Sequence, residues 1–379
     1  MATSRAILLS ILLLVVAACA GPPATIVGVD GVATRAADVP GASTVELYVA
    51  TTRTSDEDPR ILFSGTRADD LSFFRVTVSI PPDRRVGEIN RPQTLPPDPR
   101  RHFVVLDPTA FADGPAFVRE LDGAVRSRAA GSRSVLLFVH GFNTDLPSAI
   151  LLTAQFIHDS GFRGVPVLFS WASRGRVFDY VYDVNSALHA RDGLVETARL
   201  LGRTRGESFD VLAHSMGNLL VVEAMRQMAI TGEFAGLRRM GSVMLASPDI
   251  DLDLFREQIG PIPLERTRVY VMVSERDRAL GLSRRIAGGV PRVGNADPEA
   301  LAALGITVVD VSAVREADSA RHNQFANVPA VVGLIGTQIR RDGEIGGEGP
   351  GENIRNALVE ATLLPARIVG GGRVLVVAE

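Results

Sequence analysis

The residues around Ser215 have the types expected of a nucleophile held at a sharp turn. Residues 213–217, Ala-His-Ser-Met-Gly, follow an apolar run at 209–213 and precede a helical pattern at 219–230. Small residues two positions before and after the serine let a strand and a helix approach closely, and the strained turn projects the hydroxyl from the sheet. A serine that only caps a helix would need neither feature. We predict that Ser215 is a nucleophile.

A second motif, His-Gly-Phe-Asn at residues 140–143, ends the apolar run at 134–139. In this order of elements, the loop after that strand donates one backbone N–H group to a developing oxyanion, and the residue after the nucleophile donates another. Phe142 and Met216 are therefore the predicted donors. His140 is expected to orient the loop by hydrogen bonding rather than to act as the base.

The general base is found by elimination among the six histidines. A base in this arrangement lies beyond the nucleophile and the acid, after the last strands. His322 meets that condition, whereas the following histidines do not: His102, His140, His158, His189 and His214.

The acid partner has two main candidates. Asp277 lies shortly after the apolar run at 268–273, where its carboxylate could accept the second ring N–H of His322. Asp249, in Ser-Pro-Asp-Ile-Asp at residues 247–251, follows the preceding strand and is the alternative acid. Other carboxylates nearby also remain open, namely Asp251, Asp253 and Glu275. Each could instead be a solvated loop charge or a helix cap.

The elements that must position these residues alternate along the chain. Helical patterns occur at 117–128, 146–159, 186–201 and 219–230, and apolar strands occur at 134–139, 165–171, 209–213, 242–246, 268–273 and 306–311. Residues 180–183 are predicted as a loop. Apolar runs separated by helices favour an α/β fold with a mainly parallel, doubly wound sheet and helices on both faces.

The pattern of the N-terminal residues is typical of a targeting segment. An apolar run at residues 6–18 is too short to span a bilayer and suits a signal peptide. Cys19, the single cysteine of the chain, ends a lipobox-like Val-Ala-Ala-Cys, which predicts a lipoprotein signal peptide at 1–18 and lipid attachment at Cys19. Residues 19–44 then form a flexible tether. Because Ala-Cys-Ala also fits ordinary secretion, a secreted protein is the alternative.

Length and charge limit the possible domain organisation and the possible classes of partner. The 379 residues suffice for one large domain, which we place at 45–340, with N-terminal strands and a loop at 45–130, a core at 131–340 and a Gly-rich tail at 341–379. A net charge of −3 without a basic stripe argues against a nucleic-acid partner. No motif for a metal, nucleotide or flavin is present, so no cofactor is predicted.

Taken together, these motifs resemble the α/β-hydrolase superfamily over residues 130–335. The chain looks closest to a bacterial esterase/lipase-like family of uncharacterised substrate. Three segments extend that resemblance back to about residue 45: Ala-Thr-Thr-Arg at 50–53, Val-Ser-Ile-Pro-Pro at 78–82, and Ser-Pro-Asp-Ile-Asp at 247–251. The resemblance implies Ser215, Asp277 and His322 as a triad and implies no cofactor.

The expected function is hydrolysis of a small-molecule or lipid carboxylic ester through an acyl-enzyme, at the bacterial cell envelope. The same residues could cleave an amide or thioester or transfer an acyl group, because a fold does not select among these reactions. A catalytically idle scaffold that binds envelope proteins is the alternative from another class.

Overall fold

The computed structural model describes residues 36–92, 95–237, 239–314, 320–340, 362–363, 367–369 and 372–378. The predicted signal peptide, Cys19 and residues 20–35 of the predicted tether lie outside the described residues. Within the described ranges, no helix is long and apolar enough to cross a membrane.

A single twisted sheet forms the centre of the described chain. Its strands are β1 (Ser43–Ser55), β2 (Phe63–Ile80), β3 (Val104–Phe111), β4 (Val135–Val139), β5 (Val165–Ser170), β6 (Phe209–His214), β7 (Met240–Ala246), β8 (Arg268–Val273), β9 (Thr307–Asp310), β10 (Thr362–Leu363), β11 (Arg367–Val369) and β12 (Gly372–Ala378). The spatial order is β10-β12-β9-β8-β7-β6-β4-β5-β1-β2-β3, with β11 paired to β12. In this spatial order, every pairing from β12 to β1 is parallel. Strands β2, β3, β10 and β11 pair with their neighbours in the antiparallel direction. The predicted mainly parallel sheet is confirmed.

Helices cover both faces of this sheet. They are α1 (Gly114–Ser127), α2 (Leu146–Asp159), α3 (Tyr180–His189), α4 (Arg191–Gly202), α5 (Met216–Ile230), α6 (Leu252–Ile259), α7 (Arg278–Ile286), α8 (Pro298–Ala302), α9 (Gln324–Asn327) and α10 (Pro329–Arg340). One apolar core holds side chains of α1, α3, α4 and α5, and the other holds side chains of α2, α9 and α10. Strand β4 is apolar throughout because its side chains alternate between the two cores. Val135, Leu137 and Val139 enter the first core, whereas Leu136 and Phe138 enter the second.

Two local predictions were wrong. Residues 180–183 belong to helix α3 rather than to a loop, and the single helix expected at 186–201 is two helices that meet at Ala190. The sequence does offer an N-cap residue before α3, Asp179, although its side chain makes no capping hydrogen bond. Buried residues at 187, 190, 194 and 198 keep a helical spacing through the junction, which hides the break.

The strand order creates a crevice at the carboxyl end of the sheet. Strands β4 and β6 are neighbours, yet the helices that follow them, α2 and α5, pack on opposite faces. The two loops therefore diverge and leave space between them, which is where ligands bind in open α/β sheets. Phe142, Asn143, Thr144 and Ser215 line that space.

The C-terminal segment also contributes to the sheet. Strand β12 pairs in parallel with β9, with Val374 opposite Val308 and Leu375 opposite Val309. Both β12 residues are buried. The structure thus extends the sheet beyond the domain boundary predicted at residue 340, because a short apolar strand can complete an edge whatever the composition of the chain before it.

Candidate active site

Ser215 lies at a strained elbow between β6 and α5. Its φ of 53° and ψ of −123° fall where residues with a Cβ are rarely found, at a cost of roughly 1–3 kcal/mol. The Ser215 N–H donates to the carbonyl of Ala246 at 3.0 Å, and the Ser215 carbonyl accepts from Asn218 Nδ2 at 2.9 Å and from the Asp249 N–H at 3.2 Å. These bonds hold the elbow in its conformation.

Two glycines allow the elbow to pack against the β4 loop. A Cβ on Gly217 would lie 2.4 Å from the carbonyl oxygen of His140, and a Cβ on Gly141 would lie 2.8 Å from the Ser215 Cβ. Both distances are too short for a side chain to fit. The sequence predicted this need for Gly217; the need at Gly141 follows from tertiary packing.

His322 lies against Asp277. The ring Nδ1 is 2.7 Å from Asp277 Oδ2, and the Asp277 side chain is fully buried. The other carboxylate oxygen, Oδ1, accepts the N–H of Leu280 at 3.1 Å and so caps α7. Since the cap fixes the carboxylate rotamer, the oxygen that faces His322 is held in place.

Ser215 and His322 line the same cavity. Among the hydrogen bonds of the described residues, none joins the Ser215 hydroxyl to the His322 ring. Such a bond is often long in ligand-free hydrolases and tightens when substrate binds.

His214, the residue before the elbow, supports the His322 loop. Its Nε2 donates to the backbone carbonyl of His322 at 3.2 Å, and the two ring centroids are 4.7 Å apart. Phe325 contacts the other side, 4.6 Å from the His214 ring. Burial and the neighbouring His322 hold the pKa of His214 well below its ordinary value, so the ring stays neutral.

The Asp249 side chain contacts other residues than the Asp277 side chain does. Its carboxylate accepts from Ser283 Oγ at 2.6 Å and from Tyr180 Oη at 3.1 Å. The guanidinium Nε of buried Arg292 is 3.3 Å from Asp249 Oδ1. Asp249 therefore contacts the elbow through its backbone, while its side chain pairs with α3, α7 and Arg292.

The predicted oxyanion loop, which we define as residues 140–144, packs against the elbow. Phe142 lines the cavity and packs edge-on against Tyr180, and Met216 is the first residue of α5, where N–H groups lack partners within the helix. Thr144 Oγ1 donates to the Phe142 carbonyl at 3.0 Å. The loop thus places Phe142, and the start of α5 places Met216, at the end of the sheet where Ser215 lies.

A buried arginine, to which the sequence analysis assigned no role, supports this loop. Arg53 donates through Nη2 to the Thr144 carbonyl and through Nη1 to the Ser173 carbonyl, each at 2.8 Å, and through Nε to Ser170 Oγ at 2.8 Å. Arg53 is the last buried residue of β1, and a buried charge needs a specific network to hold it. No local pattern, however, identified what it would contact.

Arg53 also faces the ring of His140. Its Nη2 is 3.5 Å from His140 Nε2, and Ser170 Oγ is 3.4 Å from the same nitrogen. A guanidinium can only donate, so Nε2 accepts and the ring proton lies on Nδ1, which donates to the Gly141 carbonyl at 2.9 Å. That carbonyl shares a peptide plane with the Phe142 N–H. His140 therefore orients the predicted oxyanion donor.

Burial lowers the pKa values of both basic groups in this network, His140 and Arg53. Burial, followed by the Arg53 charge, lowers the pKa of His140 to about 3, so the ring is neutral at physiological pH. Burial lowers the pKa of Arg53 to about 10, against the influence of Asp145 and Asp183, and the guanidinium stays charged. A fixed positive charge therefore lies behind the predicted oxyanion loop.

Asp183 holds the loop from the other side. Its Oδ2 accepts from Ser173 Oγ at 2.5 Å and from the Asn143 N–H at 3.3 Å, and Ser173 Oγ accepts the Thr144 N–H at 2.9 Å. Burial raises the pKa of Asp183, and these donors oppose the shift. The sequence analysis placed this residue in a loop and assigned it no contact with residues 140–144.

The cavity around Ser215 has a volume of about 630 Å³. Ser215, His322 and Asp249 are among the polar residues that line it. The apolar part of its lining is the larger part and includes Ile89, Phe142, Leu151, Leu152, Val177, Leu280, Leu282 and Ile286. Within the described ranges, no cluster of three or more His, Cys, Asp or Glu side chains could hold a metal ion.

The parallel sheet, the elbow and the order of the site residues define an α/β hydrolase. The chain belongs to the family described as alpha/beta hydrolase of unknown function (DUF900), whose model matches residues 119–338. A solved thermostable esterase from Pseudomonas putida is similar at 16% identity and a TM-score of 0.35, over 85% of each chain. An esterase from Pyrobaculum calidifontis is similar at 13% identity and a TM-score of 0.33, over 71% of this chain and 81% of that one. No curated protein matches the chain.

Proposed function

We propose that this protein is a serine hydrolase that cleaves carboxylic esters, with Ser215 as nucleophile, His322 as base and Asp277 as acid. The observation that carries the proposal is the strained Ser215 elbow in the same cavity as the hydrogen-bonded pair His322–Asp277. Backbone strain concentrated at a cavity-lining serine is the expected cost of exposing a nucleophile.

In the acylation step, Ser215 Oγ attacks the ester carbonyl carbon while His322 Nε2 takes the hydroxyl proton. The carbonyl oxygen becomes an oxyanion that the N–H groups of Phe142 and Met216 stabilise. Collapse breaks the bond to the alcohol oxygen, which leaves with the proton from His322. The acyl group is then an ester of Ser215.

In deacylation, His322 takes a proton from water, and the resulting hydroxide attacks the acyl carbon. Breaking the bond to Ser215 Oγ releases the acid, and the proton returns to the serine. Asp277 accepts the Nδ1–H throughout and stabilises the imidazolium that forms in each half-reaction. Because its other oxygen caps α7, this carboxylate keeps one orientation through both steps.

The cavity supports an ester with an apolar acyl group. Leu151, Leu152 and Leu280 line it, and its volume suits a small molecule or one chain of a larger lipid. Rates on p-nitrophenyl esters should rise as the acyl chain lengthens from two to six carbons. A p-nitroanilide of the same acyl group should react much more slowly if the enzyme is an esterase rather than an amidase.

The nucleophile is tested by labelling the full chain with a fluorescent fluorophosphonate. Native protein should be labelled, Ser215→Ala should not, and His322→Gln should be labelled far more slowly. Ser148→Ala is the matched control, because Ser148 lines the same cavity on α2 and has no proposed role in the reaction. Labelling that persists in Ser215→Ala would refute the proposal.

We further propose that the protein is held at the bacterial envelope by a lipid on Cys19. The support is the sequence Val-Ala-Ala-Cys after an apolar run. Metabolic labelling with an alkyne fatty acid should mark the native chain and leave Cys19→Ser unmarked. Equal absence of label from both chains would favour secretion instead.

A further inference from the structure

Exposed apolar side chains surround the mouth of the Ser215 cavity. Val177, Phe178 and Val181 lie on one segment, the turn before α3 and its first residues, and each is more than half exposed. Leu282 and Ile286 lie on α7 and are exposed to a similar degree. We call residues 174–181 and 278–286 the collar.

The collar is continuous with the cavity. Val177, Leu282 and Ile286 also line the cavity that contains Ser215. The two segments meet where Tyr180 Oη and Ser283 Oγ are 2.9 Å apart. Soluble proteins seldom expose a contiguous group of large apolar side chains without a binding role, so the collar is a candidate docking surface.

The charge of the collar points to the partner. Its two segments contain five arginines, Arg174, Arg176, Arg278, Arg284 and Arg285, and a single carboxylate, Asp179, whereas the whole chain has a net charge of −3. Asp179 is paired with Arg174 at 3.6 Å. Exposed apolar tips interleaved with arginines match an anionic lipid surface, in which apolar groups enter the acyl boundary and cations remain among the headgroups.

We propose that the collar docks on an anionic lipid bilayer and places the mouth of the cavity against the membrane. Phe178, which is fully exposed, and Val181 are the side chains that enter the lipid first. The collar acts in addition to the proposed lipid on Cys19, because an acyl chain alone holds a protein near a bilayer without orienting it.

The test is co-sedimentation of the full-length Cys19→Ser chain with vesicles of phosphatidylglycerol and phosphatidylcholine, or of phosphatidylcholine alone. The collar variant carries Phe178→Ser and Val181→Ser, neither of which lines the cavity. The matched control is Ile230→Ser, because Ile230 is 60% exposed but ends α5, about 21 Å along the helix from Met216. Vesicle binding does not need hydrolysis, so Ser215→Ala should bind like its parent even if the proposed esterase activity is absent.

We expect the parent and the Ile230 control to bind anionic vesicles, and the collar variant to bind about tenfold more weakly. Binding should fall on neutral vesicles and in 0.5 M salt. Equal binding by the collar variant and the Ile230 control would overturn the proposal. So would a native dimer that the collar variant dissociates, since the occupant would then be a second copy of the chain.

Discussion

The guanidinium of Arg53 lies 3.5 Å from His140 Nε2, behind the peptide that carries the predicted oxyanion donor Phe142 N–H. This contact leaves the His140 proton on Nδ1 and so orients the Gly141 carbonyl. Arg53→Lys keeps the charge but cannot keep all the bonds that the guanidinium makes, so the donor should lose its orientation. We expect kcat on a short ester to fall by about 10²-fold, with little change in KM.

A lower yield of folded enzyme could mimic this result, so rates should be expressed per site titrated with fluorophosphonate. Binding of a trifluoromethyl ketone, whose adduct resembles the oxyanion, should weaken in parallel with kcat. Arg67→Lys is the matched control, since Arg67 contacts Ser186 and Tyr182 but not the oxyanion loop. A native kcat per site in Arg53→Lys would exclude the positioning role.

The two candidate acids should separate on mutation. Asp277→Asn replaces the oxygen 2.7 Å from His322 Nδ1 in an otherwise similar shape and should lower kcat by about 10⁴-fold. Asp249→Asn alters contacts with Tyr180, Ser283 and Arg292 at the cavity wall, so its main effect should be on KM. Steady-state kinetics on p-nitrophenyl esters measure both. The assignment fails if Asp249→Asn loses most of kcat while Asp277→Asn keeps it.

Gly141 should tolerate no side chain. A Cβ there would lie 2.8 Å from the Ser215 Cβ and 3.0 Å from the His214 carbonyl oxygen, which forces the loop and the elbow apart. Gly141→Ala should destabilise the fold by roughly 1–3 kcal/mol and abolish fluorophosphonate labelling. Gly123→Ala in α1 meets no atom within 4 Å and should instead stabilise by about 0.5–1 kcal/mol. Urea unfolding compares the two variants, and similar stabilities would contradict the packing argument.

Acid should destabilise the protein through its buried histidines. His140 and His214 have pKa values far below 6.5 in the folded state, so below pH 6.5 the unfolded chain binds more protons. Stability is therefore fully present above pH 6.5 and is lost as the pH falls, by roughly 1 kcal/mol at pH 5.5 from His140 and by a further loss in the same direction from His214.

Thermal unfolding between pH 7.5 and 5.0 measures this loss. His214→Gln removes one of the two groups, so Tm should fall less steeply with pH than in the native chain. His189→Gln, at an exposed position ending α3, is the control and should keep the native slope. A native slope in His214→Gln would show that another group is responsible.

The sequence alone determined the order of the elements and the elbow. Apolar runs of strand length and helical spacing are local properties, and small residues around a serine after a strand impose one kind of turn. Prediction failed at the start of α3, where Asp179 was not recognised as an N-cap, and at Ala190, where the helical spacing of buried residues continues through the bend. The sequence did not predict that β12 joins the sheet, because such pairing depends on which strand, here β9, has an unpaired edge in the folded protein.

Only the tertiary structure decided which side chains meet. Asp249 and Asp277 follow adjacent parallel strands, β7 and β8. Local spacing alone would therefore put either carboxylate near the general base, His322. Their partners differ because α7 takes Asp277 as its cap, whereas Arg292 and Tyr180 reach Asp249 from distant parts of the chain. The role of Arg53 emerges in the same way, since its contacts are with residues 87 or more positions away as well as with β2. Pairing across such separations follows from how strands and helices pack, which no local pattern encodes.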